Sequence, residues 1–178
     1  AGLGGGLWGM FVQVSLWPFR AQHPLRRAVA DSWLALSDLI AALELDDRTT
    51  PEARHQKIAA QEALLRTALD QTTATLAAAH AGRQRPHLKE LEELNQTAAR
   101  FATRLVAFNT ALETLMARPD FASLAPSFAP VLTSLTNLSR NTAVTVVSRQ
   151  PAHLAAADVR FRRLGNLLTA LQDRVLVQ

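Results

Sequence analysis

The feature that most constrains the fold of this chain is a long apolar stripe, which we call the first seam. Its members recur at alternating spacings of three and four residues without a break: Leu91, Leu94, Ala98, Phe101, Leu105, Phe108, Leu112 and Leu115. This alternation is typical of a helix that faces other helices along its whole length, as in coiled coils and long antiparallel bundles.

A second seam with the same alternation follows near the carboxyl end of the sequence. It comprises Leu154, Ala157, Phe161, Leu164, Leu168, Leu171 and Val175. Two seams of matched period predict long helices that pack nearly antiparallel. The abundance of alanine and leucine, both strong helix formers, also favours an all-α fold.

Apolar periodicity and loop signals together predict an antiparallel bundle of about five long helices. The first helix is expected from about Pro24 to Leu45, with a broad apolar face formed by Leu25, Val29, Leu36, Leu39, Ile40 and Leu43. The second helix is expected from Pro51 to Ala81, with Thr50 as its N-cap and Gly82 after its end.

The third helix carries the first seam and is expected to end at Arg118 and Pro119. An irregular link over 120–126 follows, and then a fourth helix over 127–148 with Phe128, Leu132, Leu135 and Leu138 inside. The stretch 142–147 is rich in β-branched residues, so a strand is the alternative there. The last helix is expected to open at Gln150 and Pro151 and to carry the second seam.

The run from Ala1 to Trp17 has no charged residue, and its only polar side chains are Gln13 and Ser15. Since a membrane helix needs about 20 apolar residues, we expect residues 1–19 to be the end of a transmembrane helix of a larger protein. Basic residues follow at Arg20, His23, Arg26 and Arg27. By the positive-inside rule, residues 20–178 are then expected to form a cytoplasmic helical-bundle domain.

The alternative for this run is a buried amphipathic helix of a soluble protein. Its glycines favour the membrane, because each would cost about 1 kcal/mol in a helix exposed to water. Gly2 with Gly6, and Gly5 with Gly9, have the spacing at which membrane helices approach one another closely. Gly4, Gly6 and Gly9 also match the dinucleotide-binding pattern, but too few residues precede them for the strand which that site requires.

The residues give no catalytic, cofactor-binding or metal site, and we expect the protein not to be an enzyme. The chain has no cysteine, which excludes disulfides, thiolate zinc sites and cysteine nucleophiles. No serine stands in a nucleophile motif. The five histidines are not at ligand spacing from one another, and surface or loop positions are expected for them: His23, His55, His80, His87 and His153.

Charged groups on the predicted helices have structural interpretations. Glu90, Glu92 and Glu93 fall in the first turns of the third helix, where carboxylates interact favourably with the helix dipole. Two basic groups remain, one at Arg83, Arg85 and His87, the other at Arg160, Arg162 and Arg163. They lack the stacking aromatics or helix-turn-helix of a nucleic-acid surface, so we expect solvated faces or contacts with anionic lipid headgroups.

The membrane exit combines a glycine-rich apolar end at 4–17, a Trp-Pro-Phe-Arg sequence at 17–20, and the segment 24–30 running into 33–36. These features resemble the membrane exit of the FUSC-like family, the fusaric acid resistance and aromatic acid exporter proteins of bacterial inner membranes. In that family a membrane helix is followed by an arginine-proline junction and a helical cytoplasmic domain. Here Ala21 stands where a proline often occurs in the family, and the proline comes at Pro24.

The resemblance implies the cytoplasmic domain of an inner-membrane efflux transporter for aromatic or hydrophobic organic acids, with a role in assembly or regulation. The partners expected are membrane lipid, the rest of the parent transporter and a further copy of the chain, with no nucleic acid. The alternative function is a membrane-anchored or soluble helical scaffold that binds a partner by coiled-coil packing without transport.

Overall fold

The computed structural model describes residues 23–44, 49–81 and 88–148, and every regular element in these ranges is an α-helix. The four helices are α1 (His23–Ala42), α2 (Pro51–His80), α3 (Leu88–Met116) and α4 (Phe121–Ser148). The all-α prediction is therefore confirmed. The predicted membrane helix at 1–19 and the last predicted helix from Pro151 lie outside the described residues.

Helix α1 is the centre of the bundle, because it contacts each of the other three helices. Its predicted apolar face is buried throughout, and Ala30, Trp33 and Ala42 are buried beside it. The helix ends a little earlier than predicted, in a tighter turn in which the Leu43 and Glu44 amides donate to the Ile40 and Ala41 carbonyls. Leu43 still lies in the core.

Helices α2 and α3 form a long antiparallel hairpin. Helix α2 begins as predicted, with Pro51 in its first turn and the Thr50 hydroxyl accepting from the Ala53 amide at 3.3 Å. It ends at His80, with Ala81 as the capping residue. Only a narrow stripe of α2 is buried, formed by Arg54, Ile58, Leu65, Thr72 and Leu76. The remaining faces of this helix are largely exposed, unlike those of α1.

The first seam lies on α3, and its members alternate between complete and partial burial. Leu91, Ala98, Leu105 and Leu112, which are spaced by seven, are buried. The residues between them, Leu94, Phe101, Phe108 and Leu115, are half-buried. The seam therefore faces the other helices along the whole of α3, with one of its two rows enclosed.

Helix α4 begins at Phe121, so the prediction of an irregular link over 120–126 is wrong. Pro126 and Pro130 lie inside the helix, and both are exposed. Because proline has no N–H, the carbonyls of Ala122 and Pro126 lose their helical partners, but this side of α4 faces solvent and water can satisfy them.

Two interactions fix the first turns of α4. Arg118 makes a bidentate ion pair with Asp120 at 2.7 and 3.0 Å, just before the helix. The ring of Phe128 lies 6.4 Å from that of Phe121 and 6.2 Å from that of Phe108 on α3. Beyond this start, residues 127–148 are helical and the four predicted inner residues are buried, so the strand alternative is wrong.

The interface of α1 with α2 contains a buried pair of hydroxyls, Ser32 and Thr72. Their oxygens lie 2.8 Å apart, and Thr72 Oγ1 is 2.8 Å from both the Ala28 and the Ala68 carbonyl oxygens. Ser32 Oγ also lies 3.3 Å from the Ala68 oxygen. Small polar side chains allow the two helices to approach here, and each hydroxyl has a partner across the interface.

Helix α4 is held antiparallel to α1 by two arginines. Arg26 Nη1 of α1 donates to the Val146 carbonyl at 3.0 Å, and Arg140 Nε of α4 donates to Ser37 Oγ at 3.1 Å. The beginning of α1 therefore lies beside the end of α4.

Candidate functional site

The described histidines with defined side chains are partners of glutamates on the neighbouring helix. His80, at the end of α2, contacts Glu92 near the start of α3. His55, near the start of α2, lies 3.8 Å from Glu113 towards the end of α3. These two contacts link both ends of the α2–α3 hairpin.

The other predicted charged groups have simple roles or fall outside the described ranges. Glu93 pairs with Lys89 at 3.9 Å, four residues apart on α3, and Glu90 lies in the first turn of that helix. His87, His153 and both arginine groups, at 83–85 and 160–163, lie outside the described residues, as does the side chain of His23.

Most hydroxyl groups of the described helices bond to the backbone. Within these ranges no group of three or more histidine, aspartate or glutamate side chains is arranged to hold a metal ion. The described serines and threonines that make hydrogen bonds mainly donate to backbone carbonyls of their own helix, as Thr97 does to the Glu93 carbonyl.

A cleft of about 350 Å³ lies between α2 and α3, with Leu39 of α1 among its lining residues. Its polar lining includes Asn95, whose Nδ2 donates to Thr73 Oγ1 at 3.1 Å, while Asn95 Oδ1 is enclosed without a partner. The charged residues Glu62, Arg66 and Asp70 also line it. Because Asn95 Oδ1 is covered by protein atoms, a molecule in this cleft has no direct access to it.

A larger opening lies between the beginning of α1 and the end of α4, and we call it the α1–α4 groove. It has a volume of about 710 Å³, and its lining is mostly apolar. Among its lining residues are Ala30 and Leu34 of α1 and Ala143, Val144 and Val147 of α4. Arg27 and Asp31 add charged groups to its lining.

One end of the bundle collects basic segments of the sequence, and we call it the basic end. Here α1 begins and α4 ends, as the contact of Arg26 with Val146 shows. Thr72 of α2 lies beside Ala28 of α1, so the end of α2 is also at this end of the bundle. The pairing of His80 with Glu92 places the start of α3 beside the end of α2, at the same end.

The sequence segments that adjoin this end carry basic residues and no acidic ones. They are 18–22 before α1, 82–87 between α2 and α3, and Arg149 after α4, and α1 itself has Arg26 and Arg27 in its first turns. The segments at the opposite end differ, because 45–48 contains two aspartates and one arginine and 117–120 one of each. The charge of the connecting segments is therefore polarised along the bundle.

Within the described ranges, no helix combines the length and the hydropathy that crossing a membrane requires. Comparisons of the chain with protein-family models, with curated proteins and with solved structures found no match. The functional argument therefore depends on the sequence pattern and on the geometry described above.

Sequence reasoning did not identify the α1–α4 groove or the histidine–glutamate pairs. Both depend on which residues of different helices lie at the same level. The alternation of apolar residues gives the inner face of each helix, but it does not give the register between helices.

Proposed function

We propose that this chain is the cytoplasmic helical domain of an inner-membrane efflux transporter for aromatic or hydrophobic organic acids. In this proposal residues 1–19 are the end of a transmembrane helix, and about five helices of residues 20–178 form the domain. The observation that carries the proposal is that the uncharged run at 1–17 leads directly into the basic end of the bundle.

The charge distribution supports this orientation. Arg26 and Arg27 lie within the first turns of α1, and Arg27 is exposed. Basic residues close to an anionic membrane surface each contribute about 1 kcal/mol of attraction. A bundle entered from the membrane at this end presents its basic segments to the headgroups and keeps its aspartate-bearing segments away from them.

The domain's role in this proposal is assembly or regulation of the transporter. The substrate class comes from the resemblance to the FUSC-like family alone. Membrane lipid, the rest of the transporter and a further copy of the chain are the proposed partners.

The helical scaffold is a second candidate, and the α2–α3 hairpin favours it. Leu64 on α2 is 58% exposed and Val106 on α3 is 44% exposed. Exposed large apolar residues on long helices are suited to binding an amphipathic helix of a partner. In this case the protein packs against a partner and transports nothing.

The membrane anchoring and the sidedness can be tested together. The full-length protein is expected to stay in the membrane fraction after a carbonate wash. Because residues 1–178 contain no cysteine, Leu64→Cys introduces one exposed thiol into this part of the protein, and its labelling is measured against the protein without the substitution. A membrane-impermeant thiol reagent should label it only after the inner membrane is opened, and labelling of intact spheroplasts would reverse the proposed orientation.

The contribution of the basic end is tested by charge reversal in the same protein. Arg27→Glu should reduce the amount of protein in the membrane, while Arg66→Glu, exposed midway along α2, serves as the matched control and should not. Equal amounts of the two variants in the membrane would contradict the proposed contact of the basic end with lipid headgroups.

Transport and scaffold are separated by a deletion of the gene. The transporter predicts increased sensitivity to aromatic acids, restored by the intact protein. A strain without a specific change in sensitivity would favour the scaffold.

A further inference from the structure

The α1–α4 groove concentrates exposed apolar surface in one place. The described residues contain six exposed large apolar side chains, Leu34, Leu64, Val106, Met116, Val144 and Val147. Three of these line the groove, with exposed fractions of 43% for Leu34, 49% for Val144 and 47% for Val147. Such a concentration of apolar side chains around a concave surface is typical of a site that another element covers.

We propose that residues 151–178 of the same chain form a helix that occupies this groove through the second seam. Continuity of the chain is the first argument. Helix α4 ends at Ser148, which itself lines the groove, and Pro151 follows after only two residues. Connections of this length join helices that are antiparallel neighbours, so a helix starting at Pro151 returns along α4.

The second argument is the match between the seam and the groove. The contacts of Arg26 with Val146 and of Ser37 with Arg140 set the level of α1 against α4, and Leu34 lies between them. A helix returning from Pro151 brings Leu154 to the level of Val147. Seven residues further on, Phe161 reaches the level of Leu34 on α1 and of the α4 turn that contains Arg140.

The length of the segment is also suitable. It contains 28 residues, as many as α4, and a helix of this length extends about 42 Å. On the proposed helix Arg162 and Arg163 lie away from the seam, while Arg160 borders it, from where its long side chain can still reach solvent. The segment therefore covers the groove with an apolar stripe without burying those charges.

Disulfide cross-linking in the protein of residues 1–178 tests the proposal, because these residues contain no cysteine and every thiol in the experiment is an introduced one. The test variant is Leu34→Cys with Phe161→Cys. Two matched controls share one of its positions: Leu34→Cys with Arg162→Cys, on the other side of the proposed helix, and Val106→Cys with Phe161→Cys, on the exposed side of α3. Circular dichroism checks that each variant is folded.

The test pair should form an intramolecular disulfide at least about tenfold faster than either control pair, because only side chains in contact have a high effective concentration. Equal rates for the three pairs would overturn the proposal. Cross-linked dimers in place of the intramolecular product would overturn it in favour of a second copy in the groove.

A single substitution gives an independent readout. In the full chain, the thiol of Leu34→Cys should react with a soluble maleimide about tenfold more slowly than that of Leu64→Cys, since the proposed helix covers only the former. Equal reactivity would show that the groove is open and would overturn the proposal, whatever the behaviour of the double variants.

Discussion

The buried hydroxyl pair between α1 and α2 allows a quantitative prediction. In Thr72→Val a methyl group replaces the hydroxyl with almost no change in shape. The substitution removes the 2.8 Å contacts of Thr72 Oγ1 with the Ala28 oxygen of α1 and with Ser32 Oγ. Ser32 keeps only longer contacts, at 3.3 Å with the Ala68 oxygen and at 3.4 Å with the Ala28 oxygen.

The expected cost follows from this change of partners. A buried hydrogen bond contributes about 1 kcal/mol net, and the Ser32 hydroxyl is left with only its longer hydrogen bonds. Thr72→Val should therefore lower the free energy of unfolding by about 1 to 2 kcal/mol. Ser32→Ala should cost about 0.5 to 1 kcal/mol, because Thr72 Oγ1 keeps both of its carbonyl partners.

The double variant isolates the contact between the hydroxyls. Both single substitutions remove that contact, so the cost of the double variant should be about 0.5 to 1 kcal/mol smaller than the sum of the single costs. Equilibrium urea unfolding followed by far-UV circular dichroism measures all three.

Thr67→Val is the matched control. The hydroxyl of Thr67 is on the exposed side of α2 and donates at 3.0 Å to the Ala63 carbonyl of its own helix. Its replacement should change the free energy of unfolding by no more than about 0.5 kcal/mol. A cost for Thr72→Val as small as that of Thr67→Val, or strict additivity in the double variant, would refute the role given to the hydroxyl pair.

Two further predictions concern the core and the prolines. Leu36→Ala, at a fully buried position of the central helix, should lower the free energy of unfolding by about 2 to 5 kcal/mol, while Leu64→Ala on exposed α2 should stay within about 0.5 kcal/mol in the same urea experiment. Pro130→Ala should raise the free energy of unfolding by about 1 to 2 kcal/mol, because the new amide can donate to the Pro126 carbonyl, an effect partly offset by the freer unfolded chain. Pro51→Ala, in the first turn of α2, should give no gain, since no helical partner is available there, and an equal gain in both proline variants would contradict this explanation.

Local signals in the sequence were sufficient for most helix positions. The threonine and proline at 50–51 identify the start of α2, because capping depends on neighbouring residues only. The first seam identifies the inner side of α3, and the apolar face predicted for α1 is buried in full. These features depend on spacing within one helix, which a sequence states directly.

The start of α4 was predicted wrongly because proline usually ends a helix, and the sequence does not reveal that Pro126 and Pro130 both face solvent. The central place of α1 was also not predictable from its pattern. Every amphipathic helix has an inner face, and only the packing of α2, α3 and α4 around α1 distinguishes it.

The pairing of Ser32 with Thr72 was equally inaccessible to sequence reasoning. Serine and threonine are usually exposed, and these two are buried only because α1 and α2 approach at a particular level. The contacts of His80 and His55 with glutamates depend in the same way on the register of the α2–α3 hairpin.

The central place of α1 has a consequence during synthesis on the ribosome. Helix α1 supplies more buried apolar residues than any other described helix and precedes those helices in the chain, so its apolar surface must wait for α4, which begins 98 residues after His23. Until then the nascent domain exposes leucines, a tryptophan, a valine and an isoleucine of α1 that later become interior. We therefore expect this stretch to be a preferred binding site for chaperones during translation, and to be released only when α4 has emerged.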